Sequence, residues 1–335
     1  MKVFVTGGAG YVGSACLRRL LAEGHDAVAF DNLSEGHRMA VPEGRLVEGD
    51  IRDTDVVARA MKDHGAEAVM HFAAATYVGE SVTNPDHHYG NNIGGTLSLL
   101  RAMREAGVQR MLFSSTCATY GDNPKPPMNE EAAQIPCSPY ARTKLAVEWM
   151  IRDFAHAYGL GFTILRYFNA AGADADGEFG ENHVPETHLI PLLLQVALGQ
   201  RDKLLLFGQD YPTLDGTCVR DYIHTDDLAS AHLLAIAATT PTTAEVFNIG
   251  TGTGQSVKQV HAACEAVTGR RIPIDVVARR PGDAPALVAD PTKLKTQLGW
   301  QPHWPDIGSV VRSAWAWHQR YPNGYADKAA ATTTR

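Results

Sequence analysis

Tyr140 and Lys144 stand four residues apart in the stretch Tyr140-Ala141-Arg142-Thr143-Lys144. At about 3.6 residues per turn the two side chains share one face of a helix. A free phenol titrates near about 10 and is a poor base at neutral pH. A neighbouring ammonium favours the phenolate, and so does an oxidised nicotinamide, so Tyr140 becomes a usable proton acceptor beside Lys144. Such a pair alone is more often a surface contact; its position gives it meaning. It follows a run of hydroxyls, Ser114-Ser115-Thr116, at the end of a β-rich stretch at 110–113. That is the side on which parallel sheets place their ligands.

A second constellation opens the chain. Val3-Phe4-Val5-Thr6 runs into Gly7-Gly8-Ala9-Gly10-Tyr11-Val12-Gly13, which satisfies G-x-G-x-x-G through Gly8, Gly10 and Gly13, and G-x-x-G-x-x-G through Gly7. The glycines permit a tight turn and a close approach of backbone to a pyrophosphate. The helix that follows offers its N-terminal N–H groups and positive dipole end to that anion. A glycine triplet alone is weak; this one follows a predicted strand and opens a predicted helix. The next predicted strand ends in Phe30-Asp31-Asn32. Asp31 would accept hydrogen bonds from the adenosine ribose hydroxyls and repel a 2′-phosphate, favouring NAD over NADP. Asp50-Ile51, just beyond a third strand, are candidate adenine contacts.

Elements able to position these groups are legible in the first half of the chain. Strands at 2–6, 26–30, 45–48, 68–71, 110–113 and 163–167 alternate with helices at 11–23, 54–64, 94–106 and 140–158. This rhythm predicts right-handed crossovers and an α/β fold, a Rossmann-type doubly wound parallel sheet with helices on both faces. After Asn169 the rhythm changes to shorter elements and loops, such as 208–216 and 279–286. We read 1–169 as the nucleotide-binding domain and 170–325 mainly as a smaller, mixed α/β substrate lobe. Residues 225–250 are expected to return to the first domain, and 326–335 to form a polar tail.

Bulk properties narrow the function. The 335 residues are 44% hydrophobic and 20% charged, ordinary for a soluble globular chain. A net charge of −7 with no Lys/Arg block argues against a nucleic-acid partner. No stretch approaches the roughly 20 apolar residues needed to span a bilayer, and the N-terminal apolar run is too short for a signal-peptide core. The five cysteines are scattered and read as reduced thiols, so a cytoplasmic setting is expected. His183, His188 and His224 show no H-E-x-x-H or related spacing, so no catalytic metal is expected. His87-His88 reads as a surface pair, Cys117 as a buried inert thiol, and Trp300, Trp304, Trp315 and Trp317 as packing of the C-terminal lobe.

Over nearly its whole length the chain resembles the extended short-chain dehydrogenase/reductase family and, within it, the UDP-glucose 4-epimerases. The resemblance rests on the glycine string through Ser14 and on Glu48-Gly49-Asp50-Ile51-Arg52-Asp53, His71-Phe72-Ala73-Ala74, Val78-Gly79-Glu80-Ser81 and Asn91-Asn92. It continues through Phe113-Ser114-Ser115-Thr116, Tyr120-Gly121, Tyr140 with Lys144, Arg166-Tyr167-Phe168-Asn169, the string 216–224 and Arg279-Arg280-Pro281-Gly282-Asp283. It implies that Phe72, Ala73, Ala74, Asn91, Ser114 and Tyr167 join the cofactor site and that Lys144 holds the nicotinamide ribose. It also implies that Tyr140 takes the proton of the sugar 4-hydroxyl, aided by Thr116, while C4 gives hydride to tightly bound NAD. The 4-keto sugar then turns over and the hydride returns to its other face, interconverting UDP-galactose and UDP-glucose in galactose metabolism.

For the UDP-hexose, the resemblance implies contacts from Phe168, Asn169, His188, Leu189, Phe207, Arg220, Tyr222, Arg280 and Asp283. The two arginines supply the fixed charge a diphosphate needs. Leu287 falls where some relatives carry Tyr and would leave room for an N-acetyl group. UDP-N-acetylglucosamine is thus an alternative substrate; UDP-glucuronate is a separate one, for whose C6 carboxylate the sequence shows no extra groups. A 4,6-dehydratase is disfavoured, because Cys117-Ala118 stands where that chemistry has Asp-Glu. A homodimer built on the helices at 94–106 and 140–158 is expected by resemblance.

Overall fold

The computed structural model describes residues 1–121, 125–280, 283–304 and 306–326. Pro281 and Gly282 of the second arginine motif, and the expected tail beyond Ala326, lie outside the described residues. In chain order the strands are β1 Lys2–Thr6, β2 Asp26–Asp31, β3 Leu46–Glu48, β4 Ala68–His71, β5 Arg110–Thr116, β6 Gly161–Tyr167 and β7 Asn169–Ala171. They continue as β8 Leu204–Phe207, β9 Val219–His224, β10 Ala244–Ile249, β11 Gly254–Ser256, β12 Ile274–Val277 and β13 Ala286–Leu287.

The main sheet has the order β10-β6-β5-β4-β1-β2-β3, with every neighbouring pair parallel. Both faces are covered, so its strands read as near-continuous apolar runs, and alternate residues feed opposite cores. Val3, Val5, Met70, Leu112 and Leu165 point into one core with Leu17, Leu20 and Ile236. Phe4, Val69, Met111, Phe113 and Ile164 point into the other with Leu99 and Ile151.

Helix Pro139–Tyr158 carries the Tyr-Lys pair, and its limits follow from local chemistry. The Ser138 hydroxyl accepts from the Ala141 N–H, Pro139 fills the first turn, and Gly159 ends the helix at φ 70. Helix Thr54–His64 is bounded in the same way by Asp53 and Gly65.

A second sheet, β11-β9-β13 with β7 on β9, and the pair β8–β12 make up the smaller part. Its core joins Leu193, Leu194, Val260, Cys264 and Val311 from helices Leu189–Ala197, Val257–Thr268 and Ile307–Arg320.

Three details differ from the sequence reading. β5 runs on to Thr116, so the hydroxyl cluster lies within the strand rather than after it. His88 is fully buried, because the short helix Pro85–His88 turns it inward and leaves His87 outside. Trp300 packs into the main-sheet core with Leu228 and Leu233, not into the C-terminal lobe.

The reason for Trp300's place is a clasp on helix Thr225–Ala238. Its indole N–H donates to the Asp227 carbonyl at 3.1 Å, and the buried Asp227 carboxylate accepts from the N–H groups of His303 and Trp304 at 2.7 and 3.0 Å. Replacing Asp227 by alanine orphans both donors. Asp227→Ala should cost about 2–4 kcal/mol in urea unfolding, with Asp227→Asn losing less because one acceptor oxygen remains.

Candidate active site

The order β3-β2-β1-β4-β5-β6 reverses direction between β1 and β4, and a crevice opens where their carboxyl ends part. The Thr6 carbonyl accepts from the N–H groups of both Phe72 and Ala73, at 2.9 and 3.1 Å. This fixes Phe72-Ala73-Ala74 beside the glycine loop. Gly7 sits at φ +70, where an added Cβ would lie 2.4 Å from the Ala73 nitrogen. At Gly13 a Cβ would meet the Gly7 carbonyl at 2.1 Å, so only glycine closes this loop. Gly10 begins helix Tyr11–Ala22 with no side-chain cap, leaving the first-turn N–H groups to an external anion. That cradle fits the pyrophosphate of a dinucleotide.

Asp31 is buried at the end of β2, where its carboxylate accepts from the Ala9 N–H at 3.0 Å and the Leu33 N–H at 2.8 Å. It therefore braces the glycine loop, and its further acceptor positions suit ribose hydroxyls. Asn32 donates to Asp50 at 3.1 Å. Arg52 forks onto the same carboxylate at 2.9 and 2.6 Å and holds it well below the usual carboxylate range. Ile51 is buried against Gly95, and Asn91 donates to Asn92 at 3.2 Å.

Lys144 is 3% exposed and donates to the Ser114 carbonyl at 2.8 Å, while the Ser114 hydroxyl bonds the Tyr167 hydroxyl. Burial pushes the ammonium down to about 7, against the opposing pull of Glu148. Burial also drives the Tyr140 phenol well above its ordinary value; Tyr167 adds to this, and a hydrogen bond with Thr116 works against it. The sequence reading expected Lys144 to draw the phenol down. The structure turns Lys144 onto a carbonyl instead, and desolvation dominates at Tyr140. An additional positive charge beside Tyr140, such as an oxidised nicotinamide carries, would favour the phenolate and oppose this effect of burial.

Two positions escaped the sequence reading. Glu148, 1% exposed, receives Arg166 bidentately at 3.0 and 2.6 Å and the Ser115 hydroxyl at 2.6 Å. Arg166 also donates to the Tyr120 hydroxyl at 3.0 Å, which in turn donates to Asn248 at 2.7 Å. The only available signal was Glu148's place one turn beyond Lys144. Asn92, buried next to Asn91, grips the Ala75 backbone at 2.8 and 3.0 Å and the Thr143 hydroxyl at 2.9 Å. It thereby ties the Tyr140 helix to the loop after β4.

On the far side, Phe168 links β6 to β7 and packs in one cluster with Cys117, Tyr120 and Leu287. Asn169 faces Tyr222 in the β7–β9 register, and Leu287 faces Arg220 in β13–β9. Arg220 donates to the Val219 and Ala284 carbonyls at 2.9 and 2.8 Å and stands 3.7 Å from Asp283. Asp283 also receives Arg280, whose guanidinium lies 5.7 Å from the Phe207 ring centroid. Asn169, Phe207, Arg220, Tyr222, Arg280, Asp283 and Leu287 are thus linked through the small sheet and this arginine pair. His188 is held elsewhere, its ring on Glu181 and Glu186, while Leu189 begins the next helix against the lobe core. Burial pushes the Cys117 thiol up to about 12, as expected of an inert thiol.

A switch-point dinucleotide cradle with a buried Tyr-x-x-x-Lys helix beside it defines a nicotinamide-dependent enzyme acting at an alcohol or carbonyl carbon. The chain belongs to the NAD dependent epimerase/dehydratase family, whose profile matches residues 3–250. A UDP-glucose 4-epimerase of Halalkalibacterium halodurans is 47% identical over 327 residues, 97% of this chain and 98% of that one. The crystal structure of UDP-glucose 4-epimerase from Brucella ovis in complex with NAD matches with TM-score 0.90 and 48% identity, over 94% of this chain and 97% of that one. The enzyme from Bifidobacterium longum in complex with NAD+ and UDP matches with TM-score 0.93 and 35% identity, over 97% and 100%.

Arg166→Met strands a buried carboxylate and should cost about 3–5 kcal/mol in chemical unfolding, whereas Arg166→Met with Glu148→Leu should recover most of that loss. Lys144 gives a pH signature. The unfolded chain holds this proton up to 10.5, the folded chain only to about 7, so the group's contribution to stability rises with pH between those values. In the dinucleotide-free protein, the Tm of Lys144→Met relative to the parent should therefore improve as pH falls through that window and stay constant below it.

Proposed function

We propose that this protein reversibly epimerises UDP-galactose and UDP-glucose at C4 on tightly bound NAD. The observation that carries the proposal is the hydrogen-bonded pair of Tyr140, on helix Pro139–Tyr158, and Thr116, at the end of β5, in a chain that also holds the dinucleotide cradle and the Arg220–Asp283–Arg280 cluster. NAD, when bound, accepts a hydride and gives it back, so no net oxidation results. Gly7, Gly10, Tyr11, Val12 and Gly13 would hold its pyrophosphate, Asp31, Asn32, Asp50 and Ile51 its adenosine end. Phe72, Ala73, Ala74, Asn91, Ser114, Lys144 and Tyr167 would hold the nicotinamide end.

Tyr140 takes the proton of the 4-hydroxyl, and Thr116 orients that hydroxyl by accepting or donating at the same oxygen. Arg220 and Arg280 hold the diphosphate as a pivot, so the 4-keto sugar can turn its other face while the uridine end stays in place. Phe168, Asn169, Leu189, Phe207, Tyr222, Asp283 and Leu287 form the remaining walls, without His188, whose ring is taken up by Glu181 and Glu186. Residues 1–169 with 225–250 act as the cofactor domain, and 170–325 mainly as the substrate lobe.

The same proposal includes a homodimer. Trp149 and Tyr158 on helix Pro139–Tyr158 are 59% and 49% exposed, and Tyr158 lines a groove of about 460 Å³ with Leu100, Met103 and Phe154. A cytoplasmic setting suits five cysteines that form no disulfide; among the described residues, no helix is long and apolar enough to cross a membrane.

Purified protein incubated with UDP-galactose and no added NAD should yield UDP-glucose, and Tyr140→Phe should lower kcat about 100-fold or more. No conversion even with NAD supplied would overturn the proposal.

A further inference from the structure

The stretch between β7 and helix Leu189–Ala197 reads Glu181-x-His183-x-x-Glu186-x-His188, a spacing that matches no familiar metal motif. It forms no regular element, yet it converges on a point. One ligand atom from each of the four side chains lies within 4.8 Å of all the others.

The separations are informative. His183 Nδ1 is 3.4 Å from Glu181 Oε1 and 3.6 Å from Glu186 Oε2. His188 Nδ1 is 2.9 Å from Glu181 Oε1 and 3.0 Å from Glu186 Oε1. Donors about 2.0 Å from a tetrahedral zinc stand about 3.3 Å apart; these histidine–carboxylate separations bracket that edge, and the wider ones in the cluster, within 4.8 Å, would close on binding.

The unmet bonding points the same way. His183 Nδ1 is buried and has no hydrogen-bond partner, although it faces both carboxylates. A single N–H on His188 cannot point at two carboxylates at once. The carboxylates themselves are 6% and 4% exposed, and among the described residues their ion-pair partners are these two imidazoles. Glu186 Oε1 already accepts from the N–H groups of Thr187 and His188 at 2.8 Å, which leaves Oε2 for a further ligand. Two buried carboxylates and an imidazole nitrogen without a hydrogen bond thus converge on one point, where a single cation would satisfy all three.

We propose that Glu181, His183, Glu186 and His188 bind one divalent transition-metal ion of the zinc class. Two imidazoles with two carboxylates suit zinc or cobalt and are poor donors for magnesium or calcium. The ion's role is structural. His188 directly precedes helix Leu189–Ala197, and the rings of Tyr11 and Tyr77 stand edge-on to His183 with centroids 6.4 and 6.1 Å away. Tyr11 opens the helix of the dinucleotide cradle and bonds the Gly172 carbonyl at 2.6 Å. The ion thus forms a strut between the start of the lobe's first helix and the cofactor loop, and no catalytic step passes through it.

The test uses untagged full-length protein dialysed against a chelator, then titrated with zinc in competition with a chromophoric chelator. Metal content, circular dichroism and thermal melting are read in parallel. The expected result is one zinc per chain, a Tm raised by zinc but not by magnesium, and tetrahedral visible absorption on cobalt substitution. His183→Ala and Glu186→Gln should each weaken zinc binding at least about tenfold while keeping the folded circular dichroism spectrum. His87→Ala, at an exposed histidine outside the cluster, should bind zinc as the parent does. No stoichiometric uptake by the parent protein, or undiminished uptake by both cluster variants, would overturn the proposal, and neither readout depends on epimerase activity.

Discussion

The Arg166–Glu148 ion pair holds the active-site geometry in place. Both side chains are almost fully buried, and bringing them out of water is costly unless every donor and acceptor is matched. They are matched by elements distant in sequence: Ser115 on β5, Tyr120 in the turn after it, and the Glu130 carbonyl. The Tyr120 hydroxyl then reaches Asn248 on β10. Glu148 shares a helix face with Lys144 and Tyr140, one and two turns away. Fixing Glu148 fixes the helix's rotation about its axis and therefore where the phenol and the ammonium point. A helix held only by its apolar face could roll by a fraction of a residue, and a misplacement of about 1 Å is enough to spoil proton transfer.

That dependence marks the boundary of what the sequence discloses. The glycine loop was legible because its logic is local: strand, turn and helix are contiguous, and the steric demands at Gly7 and Gly13 fall within one short segment. The Tyr140–Lys144 pair was legible for the same reason, being one helical turn. The first six strands came through because a sheet buried on both faces leaves unbroken apolar runs. The partner of Glu148 obeys no spacing rule, since the fold joins helix Pro139–Tyr158 to β6 through packing. Asp227 and His303 meet across 76 residues of chain, and nothing near Trp300 shows that its indole belongs to the main core. His88 reads as exposed in a polar string, and only the turn of its short helix buries it. The four-residue cluster at Glu181–His188 was missed because irregular backbone, not helical periodicity, brings the side chains together.

The two halves of the molecule are coupled more tightly than their change in rhythm suggests. Phe168 alone separates β6 of the main sheet from β7 of the small one, so Tyr167 ends one sheet and Asn169 begins the other. The Tyr11 hydroxyl reaches the Gly172 carbonyl across the junction. Gly172 itself, at φ +92, has no room for a side chain, because an added Cβ would lie 2.4 Å from the His224 ring. That ring stacks on Trp304 at 3.6 Å, within the segment clasped by Asp227. Cofactor loop, junction and C-terminal segment are therefore one packed sequence of contacts, and Arg220, on the same strand as His224, takes its position from it.

Electrostatics then explain why such an enzyme would keep its cofactor. In the bare protein, burial raises the Tyr140 phenol and lowers the Lys144 ammonium, so both groups are driven toward their neutral forms. A site in that state has a weak base and little charge to activate it. An oxidised nicotinamide beside Tyr140 would bring a cation into a region that water does not screen, where its effect on a phenol is much larger than in solution. The same desolvation that raises the phenol thus strengthens the pull of a neighbouring cation on it. Tyr140 would then act as proton acceptor only while a positive charge stands beside it, and as proton donor once that charge is gone. Base strength and redox state change together, which is what a reaction that must run equally well in both directions requires.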